Sequence, residues 1–317
     1  MNSHISRILV IGDVMLDKYV IGDCNRQSPE ADCAILDYNK TEFRLGGAAN
    51  VAFNLNHLNQ KVKLVSVIGD DKAGEQVEQL CKTNNIPFLN IKDKSRPTTV
   101  KTRYVDSEFK QFLRLDNEST EKINPEIEES LVRIVNQIAE QGLDQIILQD
   151  YNKGILSETL IIAIQKICIE RNIKLCVDPK KDNFALLSKC DLFKPNLKEL
   201  EQQYGHAIQA DSDQIRNVLK TLQLNDSKQI YVTLAEKGIY YQEGDEYGII
   251  DGVTIASADV SGAGDTVISV LSTLLAFNTK CSKMASVANK CGVFVCKKQG
   301  VSYINNSDFQ IFIHKYL

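Results

Sequence analysis

No C-x-x-C pair occurs among the nine cysteines of this chain. A structural zinc site wants four Cys or His ligands at short spacings, and His4, His57, His206 and His314 lie far apart in sequence. The cysteines therefore read as reduced core thiols of a cytosolic protein. No stretch approaches the ~18 apolar residues of a membrane span. The first apolar run, Ile8 to Ile11, is too short for a secretory signal and reads as a strand. The expectation is a cytoplasmic chain. Neither sign of charge dominates, since 37 Lys plus Arg against 41 Asp plus Glu leave a formal −4. That balance argues against nucleic acid or an anionic membrane as the main partner, without forbidding a local basic patch. Several nucleotide motifs are also missing. There is no G-x-x-x-x-G-K-[ST] loop, no H-R-D or D-F-G set, and no G-x-G-x-x-G after the first strand. A dehydrogenase loses its main support.

What is present is ordinary globular composition, 43% hydrophobic and 25% charged over 317 residues, enough for a large core without a staple. Buried strands are expected at Arg7 to Asp13, Lys63 to Gly69, Gln145 to Gln149, Ile173 to Val177, Asp191 to Phe193 and Gln229 to Thr233. Helical stripes fall between them, as with Ala73, Val77, Leu80 and Cys81 at i, i+4, i+7 and i+8. Apolar runs separated by amphipathic helices predict an α/β fold with a doubly wound, mostly parallel sheet. Residues 14–44 and 87–117 break the pattern with short alternating stretches. They are expected to form a small β appendage, a lid inserted into a single domain spanning 1–317.

In such a sheet, ligands bind beyond the carboxyl ends of the strands. Those ends carry Asp13, Asp150, Asp178, Asn196 and the segment from Thr233 to Lys237. The most specific feature is Asp259-Val-Ser-Gly-Ala-Gly-Asp-Thr266 before an apolar helix. Gly262, Ala263 and Gly264 let backbone N–H groups approach an anion at a helix N-terminus. Asp265 is then either a general base or a helix cap. Gly46-Gly47-Ala48-Ala49-Asn50 offers close backbone approach and an amide suited to hydroxyls, or simply a turn with tight packing. Asn196 and Glu199, three residues apart, could hold Mg²⁺ through water or cap a helix.

These segments resemble the two signatures of the PfkB/ribokinase family of sugar kinases, in the family's order. Asn196-Leu-Lys-Glu199 is similar to its Asn-x-x-Glu motif, and Thr233-Leu-Ala-Glu-Lys-Gly238 to its nucleotide loop. The chain departs from the usual glycine at Ala235, and from Gly or Ser at Asn59. The resemblance implies a ribokinase-like fold and a kinase using ATP and Mg²⁺, with a monovalent cation near Asp259 left open. It places the sugar near Asp13, Asp17, Gly46, Gly47, Asn50 and Asp150. ATP falls near Asn196, Glu199, Thr233, Gly238 and Asn289. Asp265 becomes the base, and the N–H groups of Ala263, Gly264 and Asp265 the anion hole. It also implies lid cations Lys101, Arg103 and Arg114, and a homodimer paired through the lid. Thr99 to Val105 reads as a strand whose period of two puts Lys101 and Arg103 on one face, either phosphate readers or a solvated surface.

Within the family, Gly12-Asp-Val-Met-Leu-Asp17, Ser28-Pro-Glu-Ala31, Arg114-Leu-Asp116, Asp150-Tyr-Asn-Lys-Gly154 and Val177-Asp-Pro-Lys180 resemble members acting on D-glycero-D-manno-heptose 7-phosphate. Those members phosphorylate the anomeric hydroxyl on the way to ADP-heptose and surface glycans such as lipopolysaccharide. They are often fused to a nucleotidyltransferase, so a chain ending at Leu317 is expected to hold the kinase half alone. The alternatives are a kinase for fructose 6-phosphate, ribose or a nucleoside, or a catalytically silent sugar- or nucleotide-binding regulator.

Overall fold

The computed structural model describes residues 5–255, 259–277 and 279–316. The chain opens with β1 (Arg7–Gly12), then forms β2 (Val14–Gln27) and β3 (Ala34–Gly47). Only Asp13 separates β1 from β2, and β3 passes straight into the helix Ala48–His57. Next come β4 (Lys61–Gly69), the helix Lys72–Thr83, β5 (Phe88–Asp93), β6 (Thr99–Val105) and β7 (Gln111–Asn117). After that β8 (Gln145–Gln149), β9 (Lys174–Asp178), β10 (Leu192–Phe193) and β11 (Gln229–Thr233) alternate with helices. A hairpin of β12 (Gly238–Glu243) and β13 (Glu246–Asp251) precedes the helices Ala263–Leu274, Cys281–Cys296 and Asn306–Tyr316.

The large sheet has the order β13-β12-β11-β10-β9-β8-β1-β4-β5, with every strand running the same way except β12, which is antiparallel to both of its neighbours. Its strands are apolar throughout because helices cover both faces. Along β1, Ile8 and Val10 join one core and Leu9 and Ile11 the other, the period of two that a strand imposes. Five of the covering helices start where the sequence supplies a cap. Asp71, Asn124, Ser157, Asn196 and Asp211 each accept a hydrogen bond from an amide three residues on. The expected α/β doubly wound architecture is the observed one. The β12–β13 hairpin and the helix Asn306–Tyr316 escape the sequence pattern, because β13 and the helix are only partly buried and their apolar periodicity is weak.

The small sheet has the order β3-β2-β6-β7. Two of its boundaries need correction. Phe88–Asp93 lies in the large sheet, paired in parallel with β4, and not in the appendage. As an edge strand it is half covered, so its residues alternate like those of an exposed sheet. The appendage also runs to Gly47, three residues beyond the expected end. Its own core is small: Tyr19, Ile21 and Val105, with Phe109 packed against them. At its junction Val14, Leu16 and Leu45 pack into the core of the large sheet, and polar ties add to that. The Arg44 guanidinium donates to the carbonyls of Gln299 and Val301 at 2.8 and 2.9 Å and lies over the Tyr19 and Phe109 rings. The Val301 N–H donates to the Tyr19 hydroxyl at 3.0 Å.

Candidate active site

The strand order reverses direction at β1 and β8, whose carboxyl ends carry Asp13, Gln149 and Asp150. Asp13 is buried, and its carboxylate accepts the N–H groups of Tyr151, Lys153 and Ile155 at 2.7, 3.1 and 3.3 Å. Burial, and then the charge of Asp150, push its carboxyl up to about 6. Asp150 accepts from the Asn152 N–H and the Asn183 amide. Both residues were expected against the sugar. Their carboxylates shape the 150–155 loop, because a tight loop must satisfy its buried amides.

That loop delivers Tyr151 to Asp265. The helix Ala263–Leu274 starts at Gly262, whose φ of 78° lies in the left-handed region that glycine enters freely. A Cβ there would also meet the Asn50 amide at 2.8 Å. Asp265 is 3% exposed. Its Oδ2 accepts from Asn50 Nδ2 at 2.7 Å, and its Oδ1 from the Tyr151 hydroxyl at 2.7 Å and Gln149 Nε2 at 3.4 Å. Burial pushes the Asp265 carboxyl up to about 7, while the Asn50 and Tyr151 hydrogen bonds pull it down. A carboxyl poised there can accept a proton near neutrality. No cap hydrogen bond is made by the Gly262 side of the turn, so Asp265 is not the cap of this helix.

The first-turn N–H groups of Gly264 and Asp265 have no carbonyl of their own helix to bond, which leaves them for an anion. Ala263, grouped with them above, spends its N–H on the Val260 carbonyl at 3.2 Å. Lys194 is 2% exposed and bonds Asp178 at 3.0 Å. A Cβ on Gly264 would lie 3.7 Å from its ammonium. Positive charge and open amides therefore meet at one point.

Asn196 and Glu199 form a reciprocal capping box. The Asn196 side chain accepts from the Glu199 N–H at 2.9 Å, and Glu199 Oε2 accepts from the Asn196 N–H at 2.7 Å. Glu199 Oε1 pairs with Lys180. Each Glu199 oxygen thus has one partner already, and no group of three or more acidic, His or Cys side chains that could hold a metal ion occurs among the described residues. Asn196 bridges to Thr233 at the end of β11. Ala235 has φ 55° and Asn59 has φ 58°, so both departures from the family pattern fall where the backbone is left-handed. Gly238 sits where a Cβ would meet the Ile250 carbonyl at 1.9 Å. The Asn289 amide donates to the Asp251 carbonyl at 2.8 Å, tying a helix to β13.

On the sugar side, Asp17 is buried against Gly46, where a Cβ would lie 2.2 Å from Asp17 Oδ2. Register places Asp17, Lys101 and Asp116 in one row and Tyr19, Arg103 and Arg114 in the next. Lys101 and Arg103 do share a face, but all three cations meet carboxylates. Arg103 pairs with Asp17, Lys101 with Asp116 and Glu118 at 3.0 and 3.2 Å, and Arg114 with Asp116 at 3.0 Å. Neither a bare phosphate pocket nor a solvated strand face describes them. Tyr151, Gln149, Lys180 and Lys194 were not singled out from the sequence. For Lys194 the signal was a lysine directly following a buried strand.

A doubly wound sheet with an anion turn, a buried carboxylate and a small β sheet defines a phosphotransferase class. The pattern described as pfkB family carbohydrate kinase matches residues 6–308. The chain belongs to this family and is a sugar kinase. It is 34% identical over 307 residues to the bifunctional protein HldE of Desulfatibacillum aliphaticivorans, covering 96% of this chain and 62% of that one. With the bifunctional protein HldE of Helicobacter pylori strain J99 the identity is 35%, over 98% of this chain and 66% of the relative. The chain thus spans about two thirds of the length of these curated relatives. In fold it is similar to phosphofructokinase-2 from Escherichia coli solved with potassium, with a TM-score of 0.81, 20% identity and coverage of 98% and 99%. Ribokinase from Thermotoga maritima gives a TM-score of 0.71 at 15% identity over 98% and 99%.

Proposed function

We propose that the chain transfers the γ-phosphoryl group of ATP to the anomeric hydroxyl of D-glycero-β-D-manno-heptose 7-phosphate, giving the 1,7-bisphosphate. The observation that carries the chemistry is the buried Asp265 carboxylate beside the open amides of its own helix and the Lys194 ammonium. Asp265 accepts the hydroxyl proton, and the Gly264 and Asp265 N–H groups, with Lys194, stabilise charge on the transferring group. Phosphoryl transfer asks mainly for such positioning and electrostatics. Asp17, Gly46, Gly47 and Asn50 face the sugar, and Lys101, Arg103 and Arg114 read the phosphate already on it. Asn196, Thr233, Gly238 and Asn289 border ATP. Mg²⁺ would arrive on the ATP phosphates, where it neutralises charge. Glu199, whose oxygens already hold the Asn196 N–H and the Lys180 ammonium, would reach the metal through water.

The heptose assignment is supported by the heptose-kinase-like segments around Asp17, Arg114, Asp150 and Lys180. ADP-heptose and lipopolysaccharide synthesis is the setting that follows from it. A cytoplasmic location accords with finding no helix long and apolar enough to cross a membrane among the described residues. A homodimer through the small sheet is supported by the exposed Phe43, Leu113 and Leu115. The test is an ADP-release assay on purified protein over heptose 7-phosphate, fructose 6-phosphate, ribose and a nucleoside. A kcat/KM on heptose 7-phosphate below that on any other member would sink the assignment.

A further inference from the structure

Asp265 has two oxygens in unequal positions. A carboxylate offers roughly two acceptor sites per oxygen. Oδ1 receives the Tyr151 hydroxyl and the Gln149 amide, whereas Oδ2 receives only Asn50. The orientation of the Asn50 amide is fixed from behind. Asn54 Nδ2 donates to Asn50 Oδ1 at 3.2 Å, and the Thr266 hydroxyl donates to Asn54 Oδ1 at 3.1 Å. Asn50 therefore turns its NH₂ toward Asp265, and Oδ2 keeps one acceptor site.

We propose that Tyr151 is a positioning residue whose hydroxyl locks Oδ1 of Asp265, leaving Oδ2 as the atom that takes the substrate proton. The proposal rests on the reading of Asp265 as the base. The phenol is itself well anchored. Its backbone N–H is held by Asp13 at 2.7 Å, and the Lys180 ammonium stands 5.2 Å from its ring centre. Burial and the charge of Asp265 push the phenol well above its ordinary range, so it remains a donor wherever the enzyme would work. A donor to the ionised carboxylate favours that form. The other charges facing the pair are Asp178, which raises the Asp265 carboxyl, Lys194, which lowers it, and Lys180 and Asp17 around Tyr151. In the step itself, the hydroxyl O–H breaks toward Oδ2 and its electron pair forms the new O–P bond. The P–O bond to ADP breaks, and that pair leaves with ADP.

The experiment is Tyr151→Phe, folded by circular dichroism, followed as kcat/KM against pH in the ADP-release assay. A parallel ¹³C-carboxyl titration, with Asp265→Asn assigning the resonance, reads the same group without turnover. Removing the donor should move the acid limb and the carboxyl titration upward by about one unit. The loss should be about tenfold below pH 6.5 and shrink to within roughly threefold at pH 9.5, where both forms are ionised. Site-specific 3-fluorotyrosine at 151, a more acidic phenol and stronger donor, should move the limb the other way. An unmoved titration, or a loss equal at every pH, overturns the proposal and leaves Tyr151 a packing residue. Full turnover by Asp265→Asn would instead remove the base assignment, while the titration would still decide whether Tyr151 sets that carboxyl.

Discussion

The nine-stranded sheet buries both of its faces, whereas the four-stranded sheet has a core of its own of only three buried apolar side chains, Tyr19, Ile21 and Val105, and adds polar ties. Leu148 in β8 is fully buried, while Leu113 and Leu115 in β7 are 59% and 56% exposed. Two pairs of carboxylates differ in the same sense, although Asp17 in β2 of the small sheet is also raised by burial. Asp13 and Asp265 sit in the large domain with carboxyls raised by burial. Burial also works against charge on Asp116 and Glu118 of the small sheet, but Lys101, Lys153 and Arg114 outweigh it and hold both below the ordinary range. Stability thus resides in one sheet, and adjustable charge in the other. The chemistry lies at the border.

The largest effect should come at that border. Asp265→Asn is expected to lower kcat by ~10²–10⁴-fold while the protein still binds ATP. A kcat within threefold of wild type, on folded protein, would move the chemistry elsewhere. The two sheets can be compared directly by removing one leucine from each. Leu148→Ala should cost about 2–5 kcal/mol by denaturant unfolding, and Leu115→Ala at most ~0.5 kcal/mol. A Leu115→Ala cost approaching that of Leu148→Ala, and growing with protein concentration, would show that a second copy covers the small sheet.

The pH dependence separates the two pairs by sign. A carboxyl raised in the folded state stabilises below its unfolded value and loses that contribution as pH rises through the folded value. For Asp13 and Asp265 the window runs from about 4 up to 6 and 7. Stability should therefore fall by about 2–4 kcal/mol between pH 5 and 8, measured by urea unfolding. Asp116 and Glu118 are lowered, so their contribution is present above the ordinary carboxylate range and disappears as pH drops below it. A stability curve rising from pH 5 to 8 would contradict the burial of the first pair.

A smaller effect should distinguish the cations. Arg114 is half exposed, and its loss should cost roughly 10- to 150-fold in kcat/KM on the phosphorylated sugar alone. Arg103→Ala removes a phosphate reader and also strands the buried Asp17, so it should impair the free sugar as well and the phosphorylated sugar more. Equal losses for Arg114→Ala on both sugars would remove it as a phosphate reader. The smallest effect concerns the loop after β11. Ala235→Gly should stabilise by about 1 kcal/mol, because an L-residue pays roughly that much in the left-handed region.

Much of the large sheet was legible because burial on both faces leaves continuous apolar runs such as Ile8 to Ile11 and Ile146 to Leu148. Phe88–Asp93 was misplaced because an edge strand alternates like an exposed one. In the site, Asp265 and Asn50 stood out through neighbouring glycines, but their mutual bond spans 215 positions of sequence. Spacing cannot announce that kind of contact. Tyr151 and Lys194 were hidden for a related reason. Each lies beside a more conspicuous residue, Asp150 or Asn196, and only the folded loop turns it inward.

The junctions between the two sheets carry a mechanical consequence. One residue links β1 to β2, and none separates β3 from the helix that bears Asn50. The Ala48 N–H donates to the Asp13 carbonyl at 2.9 Å, binding the two junctions together. A swing of the small sheet is therefore transmitted as torque, with no slack to absorb it. Its load falls on Asp13, and through Asp13 on the amides of Tyr151 and Lys153. Arg44→Ala, which cuts the far tether at residues 299 and 301, should speed hydrogen exchange at those two amides, although Arg44 bonds neither of them.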